Sequence, residues 1–247
     1  MGPLAITLLM LLSLIAFLAL SARKLVLVTH LRPLPRWDGV AARLRTVLAN
    51  GVLQERMLRR EWRPGLMHAT IFLGFLVLLV RKVQLLAIGY DASWAATSAA
   101  AGAFATAKDF VELAVLIAVG VGLYRRLVRP PARLEPNREG VLVLVLIAII
   151  MLTDYAFDAF RFAQLAATVP AIAHERACAP IGDWLATFVD AWPTERLALA
   201  AQLAYWSQML TVFAFLVLLP VGEHFHIVTA LPALFFRGGG DHHRQQQ

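Results

Sequence analysis

The sequence predicts an all-α integral membrane protein: a five-transmembrane-helix bundle with its N-terminus outside and its C-terminus in the cytoplasm. Three observations carry this. First, 60% of the 247 residues are hydrophobic, 16% are charged, and the mean hydropathy is +0.68, against about 45–50% apolar and about 25% charged in soluble domains. Second, the apolar residues are gathered into runs of membrane-spanning length. Third, basic residues cluster in alternate segments between the runs, which is the signature of topology. A net charge of +7 raises nucleic acid as a partner. The charge sits between spans, however, so no nucleic-acid partner is expected. The single cysteine, Cys178, excludes an internal disulfide and a cysteine-ligated iron–sulfur cluster within this chain.

Leu4 to Leu20 is almost unbroken aliphatic and is closed by Arg23 and Lys24. It has no basic n-region and no small-residue cleavage pattern, so it reads as a retained first span at about 4–21. Residues 22–66 then carry 10 Lys/Arg against three acids. Apolar and basic residues alternate there at helical spacing, which predicts amphipathic helix on an anionic leaflet, a docking face for a soluble partner, or both. Span two is placed at about 66–90 and span three at about 108–127, after an Ala/Ser/Thr-rich outer loop. Pro130 and Pro131 stop any helix beyond span three. Span four is placed at about 141–163 and span five at about 197–226. The segments after spans one and three hold 10 and five Lys/Arg, whereas those after spans two and four hold none and two. The positive-inside rule therefore puts 22–66, 125–140 and the C-terminal tail in the cytoplasm. One domain, 1–236, is expected, followed by a disordered tail at 237–247.

On this topology His68 lies in the first turns of span two and His226 at the end of span five, at similar depth near the cytoplasmic face. Two imidazoles so placed on antiparallel helices meet the need of a bis-histidine haem held inside a bundle. Histidines at a membrane boundary also occur without iron, and both readings stand on spacing alone. His224 and His226 are two residues apart, about 200° on a helix, so only one faces inward. His226 shares a face with Gly222, Leu219, Phe215 and Gln208, since about 18 residues make five whole turns, and is the preferred ligand. His224 is left for the interface or a propionate contact. His30, His174, His242 and His243 read as interfacial, loop or tail residues with no specific role.

The runs PGLMHATIFLGF (Pro64–Phe75) and LPVGEHFHIVTALPALFF (Leu219–Phe236) resemble the cytochrome b membrane domain of respiratory nitrate reductase gamma subunits. They are more similar still to the membrane domain fused to heterodisulfide-reductase-like iron–sulfur proteins, of the electron-transfer flavoprotein:menaquinone oxidoreductase type. The resemblance implies haem b, with His68 and His226 as axial ligands of the haem nearer the cytoplasm. Histidines that hold an outer haem in the family correspond here to Gln208 and Leu78, so a single haem is expected. Gly222 and Glu223 stand where the family carries a Ser-Lys/Arg pair. The resemblance further implies a membrane cytochrome b subunit of a multi-subunit quinone oxidoreductase in a bacterial or archaeal cytoplasmic (inner) membrane. Its substrate would be a quinone, menaquinone in the family. Its partners would be a cytoplasmic heterodisulfide-reductase-like iron–sulfur protein and a flavoprotein. No iron–sulfur module lies within residues 1–247, and such clusters are expected on a partner chain. The alternative is a haem-free membrane anchor or assembly subunit of a redox complex.

A cluster of polar residues falls in the outer half of the spans: Arg81, Lys82, Lys108, Asp109, Glu112, Asp154, Asp158 and Arg161, with Gln208 near them on span five. Charges inside a span are costly and by default mark function. Asp154 and Asp158 share a helix face, and Arg161 lies one turn on. One reading is a quinone headgroup pocket with a carboxylate relay for its protons, in which Asp158→Asn slows quinone-linked turnover and spares haem content. The other is mutual neutralisation of signs that nearly balance.

Overall fold

The computed structural model describes residues 2–29, 39–52, 54, 62–129, 138–222 and 225–236, without the side chains of 25–29, 52, 226–228, 231 and 232. The expected tail at 237–247, His224 and much of the basic segment lie outside the described residues. Among the described residues the structure is helical, with no strand. The long helices are α1 (Pro3–Thr29), α3 (Trp62–Tyr90), α4 (Ala99–Leu127), α5 (Arg138–Leu165) and α8 (Thr194–Leu218). Short helices are α2 (Val40–Thr46), which runs on into a π-helical turn at Val47–Val52, then α6 (Pro170–Ala177), α7 (Pro180–Thr187) and α9 (His226–Phe236).

Among the described residues, four helices are long and apolar enough to cross a membrane: Pro3–Lys24 within α1, and α3, α5 and α8. At 22 to 29 residues they measure about 33–44 Å, against a hydrocarbon core of about 30 Å. Leu4, Leu8, Leu12 and Ile15 on α1 point outward, as do Leu79, Val80 and Val83 on α3. Outward aliphatic side chains of this density suit lipid and not water. The expected third span is helical, but α4 is not among the four. It carries Lys108, Asp109 and Glu112 in mid-helix and Arg125 and Arg126 near its end. It also begins nine residues earlier than the sequence suggested. Ser98 caps it, with Oγ accepting from the Ala101 N–H at 3.1 Å, and the alanine-rich stretch after that cap is strongly helix-forming.

The expected fifth span ends early. α8 stops at Leu218, and the N–H groups of Val221 and Gly222 both return to the Leu218 carbonyl. Pro220 has no N–H to continue the ladder and its ring crowds the preceding turn, which favours ending the helix there. His226 instead opens a new helix, α9. The helix-face argument that preferred His226 over His224 therefore does not hold, because no continuous helix carries the phase from Gln208 to position 226.

The chain divides into two compact units, Met1–Leu12 with Thr70–Phe215, and Ser13–Ala69 with Leu216–Gln247. In the first unit, α4, α5, α6 and α7 pack on one another. A core of Ile6, Leu85, Ile88, Phe157, Tyr205, Met209 and Phe213 joins α1, α3, α5 and α8. A Cβ on Gly74 would run into Val115 Cγ2, and one on Gly89 into the Tyr205 hydroxyl, so bare backbone lets these helices close up. In the second unit, α9 packs on α2 and its π-helical turn. Buried Arg43 on α2 donates from Nη1 to the Phe235 carbonyl at 2.9 Å.

Candidate functional site

The first unit buries a network of charges. Arg81 on α3 is fully buried and meets three carboxylates: Nε donates to Asp154 Oδ1 at 3.1 Å, Nη2 to Asp158 Oδ1, and Nη1 to Glu175 Oε1 at 3.4 Å. Lys82 Nζ donates to the other Asp154 oxygen at 2.9 Å. From α4, Lys108 Nζ donates to Asp158 Oδ2 and, at 3.4 Å, to Glu112 Oε2 one turn along its own helix. Arg161 Nη1 donates to Glu175 Oε2 at 2.7 Å, and its other nitrogens to the Ala92 and Trp94 carbonyls.

Four cations thus face four carboxylates, and the buried charge balances. The four-residue spacing of Asp154 and Asp158 puts both on one face of α5, and that face meets Arg81. In a low dielectric neither sign is tolerable alone, and excellent geometry is needed to offset desolvation. Each Asp158 oxygen accepts from a different cation, so this side chain holds α3, α4 and α5 together. That assigns Asp158 a structural role ahead of any part in a proton relay.

Asp109 stands apart from the network. Its carboxylate accepts from the N–H groups of Ile181 and Gly182, at 2.5 and 3.2 Å, and so caps the N-terminus of α7 from another helix. Tyr155 donates its hydroxyl to the Asp109 carbonyl. Glu175, on α6 between α5 and α8, was not among the sequence candidates. Loop carboxylates are common, and the sequence gives no signal that this one folds back onto Arg81 and Arg161. Outside the spans, the exposed Asp91 carboxylate is held below the usual carboxylate range, chiefly by a hydrogen bond from the Ser93 hydroxyl and next by the Ser93 N–H.

Two fully buried groups keep unspent hydrogen-bonding capacity. Among the described residues Glu112 Oε1 has no partner, and neither atom of the Gln208 amide has one. Native interiors leave few such groups, and each calls for an explanation.

His68 and His226 belong to the second unit. His68, half-buried two turns into α3, lies with Nδ1 3.0 Å from Gln54 Oε1. Gln54 is buried and has φ +52°, the left-handed region that side-chain-bearing residues seldom adopt. His226 is the first residue of α9 and its side chain is not among those described. Lys24 donates from Nζ to the Gly222 carbonyl at 3.2 Å and sits over the Phe225 ring at 5.4 Å, which ties the end of α1 to the turn before α9. Among the described residues no group of three or more His, Cys, Asp or Glu is arranged to hold a metal ion.

Two oxidoreductases are similar to this chain. One, named EtfAB:quinone oxidoreductase, from Syntrophomonas wolfei subsp. wolfei, is 30% identical over 213 residues, covering 82% of this chain and 29% of that protein. The other, named probable iron-sulfur-binding oxidoreductase FadF, from Bacillus subtilis, is 26% identical over 201 residues, covering 78% of this chain and 27% of that protein. The chain therefore spans less than a third of the length of either relative. No family model and no solved structure matches it.

Proposed function

We propose that the chain is a membrane electron-transfer module of an oxidoreductase of the electron-transfer flavoprotein:quinone type. It exchanges electrons between an iron–sulfur or flavin partner at the cytoplasmic face and quinone, menaquinone in the resembling family, in a bacterial or archaeal inner membrane. The observation that carries this is the similarity, over most of the chain, to a protein named for EtfAB and quinone. The four apolar helices supply the membrane setting. We take α4 as a fifth span whose charges are neutralised by α3 and α5, with the N-terminus outside and the C-terminus inside as the basic segments direct.

One b-type haem is assigned to His68 and His226, with His224 beside a propionate. The donor chemistry at His68 fits such a group: with Nδ1 bonded to an amide oxygen, the ring's lone pair lies on Nε2. The haem, when bound, supplies one-electron chemistry, and the protein's part is to fix the ligand orientation and exclude water.

The quinone and proton site is assigned to the outer polar cluster of Arg81, Lys82, Asp109, Glu112, Asp154, Asp158, Arg161 and Gln208. Within it, Glu112 is the proton-exchanging group and Gln208 a hydrogen-bonding group for the quinone headgroup, because both have unspent hydrogen-bonding capacity among the described residues; the Arg81, Lys108, Asp154 and Asp158 network supports Glu112.

The test is optical. Membranes carrying the chain with its complex should show a b-type α-band on reduction, and a menaquinol analogue should elicit the same band. If dithionite elicits no band, the haem assignment falls and a haem-free anchor remains. If dithionite elicits the band but the quinol does not, the quinone assignment falls.

A further inference from the structure

The segment from Val40 to Gln54 reads in sequence as an amphipathic stretch for lipid or partner. In the structure it makes a different connection. α2 and its π-helical turn pack on α9, the helix that opens at His226. Arg43 fastens α2 to the far end of α9 through the Phe235 carbonyl. Just past the π-helical turn, Gln54 reaches the ring of His68. One short segment thus touches both helices that carry the assigned iron ligands, and all of it lies in the second unit.

The contact at His68 has a definite chemical sense. A glutamine Oε1 only accepts, so the ring nitrogen facing it, Nδ1, carries the hydrogen. The lone pair then lies on Nε2, the tautomer a metal-ligating imidazole requires. A partner on the second ring nitrogen is the usual way proteins fix both tautomer and ring angle. Gln54 is 6% exposed, so water competes little for that bond. Its backbone is in a conformation that glutamine seldom adopts. Among the described residues it is the only non-glycine residue with positive φ. Such conformations persist where the surrounding structure enforces them, and they cluster at functional sites. A π-helical turn immediately before it is a second irregularity of the same kind.

We infer that Gln54 is the positioning residue for the His68 iron ligand: it holds the Nδ1 hydrogen and thereby presents Nε2 to the iron. This rests on the haem assignment proposed above. A neutral amide oxygen draws only modestly on the N–H. A carboxylate in its place would draw more strongly, make the imidazole a better donor and favour ferric iron. An aliphatic side chain would leave the N–H without this acceptor and the ring without its brace.

The experiment is a redox titration of the haem in the intact complex, with haem-to-protein ratio measured alongside, for the wild type, Gln54→Glu and Gln54→Leu. Gln54→Glu should retain haem and lower its midpoint potential. Gln54→Leu should raise the potential and weaken haem retention by about tenfold to a hundredfold. Opposite shifts from one position are not produced by a merely structural role. If Gln54→Leu fails to assemble, the potential of Gln54→Glu decides. Haem present in the wild type, with the potential unmoved in Gln54→Glu, overturns this inference and leaves the haem assignment standing. No haem in the wild-type complex overturns the assignment itself.

Discussion

Replacing Asp158 with Asn perturbs the most connected carboxylate of the buried network. Its two oxygens accept from Arg81 and Lys108, both buried, and its own side chain is 1% exposed. The variant keeps the shape and one acceptor oxygen but leaves two cations short of a counter-charge. Removing one partner of a buried ion pair costs about 3–5 kcal/mol. For a chain of this size each kcal/mol shifts the melting temperature by about 2–4 °C, so a fall of roughly 6–20 °C is expected. Glu112→Gln is the internal comparison. Glu112 offers Lys108 a single contact at 3.4 Å, so its loss should cost about 1 kcal/mol. Thermal unfolding in detergent, followed by circular dichroism, separates the two. Adding Lys108→Met to Asp158→Asn should recover part of the loss, since the unpaired cation is then gone. A melting temperature for Asp158→Asn within about 2 °C of wild type would refute this reasoning, as would a larger fall for Glu112→Gln.

Three further outcomes follow from single contacts. Glu175→Gln removes ion pairs to Arg81 and Arg161, each of which keeps other acceptors. The expected cost is about 1–3 kcal/mol, seen as faster amide exchange in α6 with α5 unaffected. Asp109→Ala removes the cap of α7 and should cost about 1 kcal/mol, again visible as local exchange, here at Ile181 and Gly182. Gly74→Ala places a methyl against Val115 and should destabilise by about 1–3 kcal/mol, with a matching fall in the unfolding midpoint.

The long helices were legible in the sequence because runs of aliphatic residues have one physical solution in lipid. Charge placement was legible in part. Asp154 and Asp158, four apart on one helix, announced a shared face, and Arg81 was already a candidate partner. Glu175 was not legible, because nothing local distinguishes it from Asp183, Asp190 or Glu195 in the same loop. The start of α4 was missed because an alanine-rich stretch can read as a loop until Ser98 is recognised as its cap. The end of α8 is hidden in the sequence because the apolar run continues past Pro220 while the helix stops at Leu218. Gln54 lay unnoticed in a basic segment because its role depends on contact with a helix that begins later in the chain. What sequence reasoning lacked in each case was the identity of a distant neighbour.

The proposed function turns on one b-type haem held by His68 and His226. The most direct measurement is the haem-to-chain ratio by pyridine haemochrome in the purified complex, for wild type and for His68→Ala, His226→Ala and His224→Ala. One haem per chain is expected in the wild type and in His224→Ala, and none in the other two. Two haems per chain, or a haem that survives His68→Ala or is lost from His224→Ala while His226→Ala keeps it, would contradict the account.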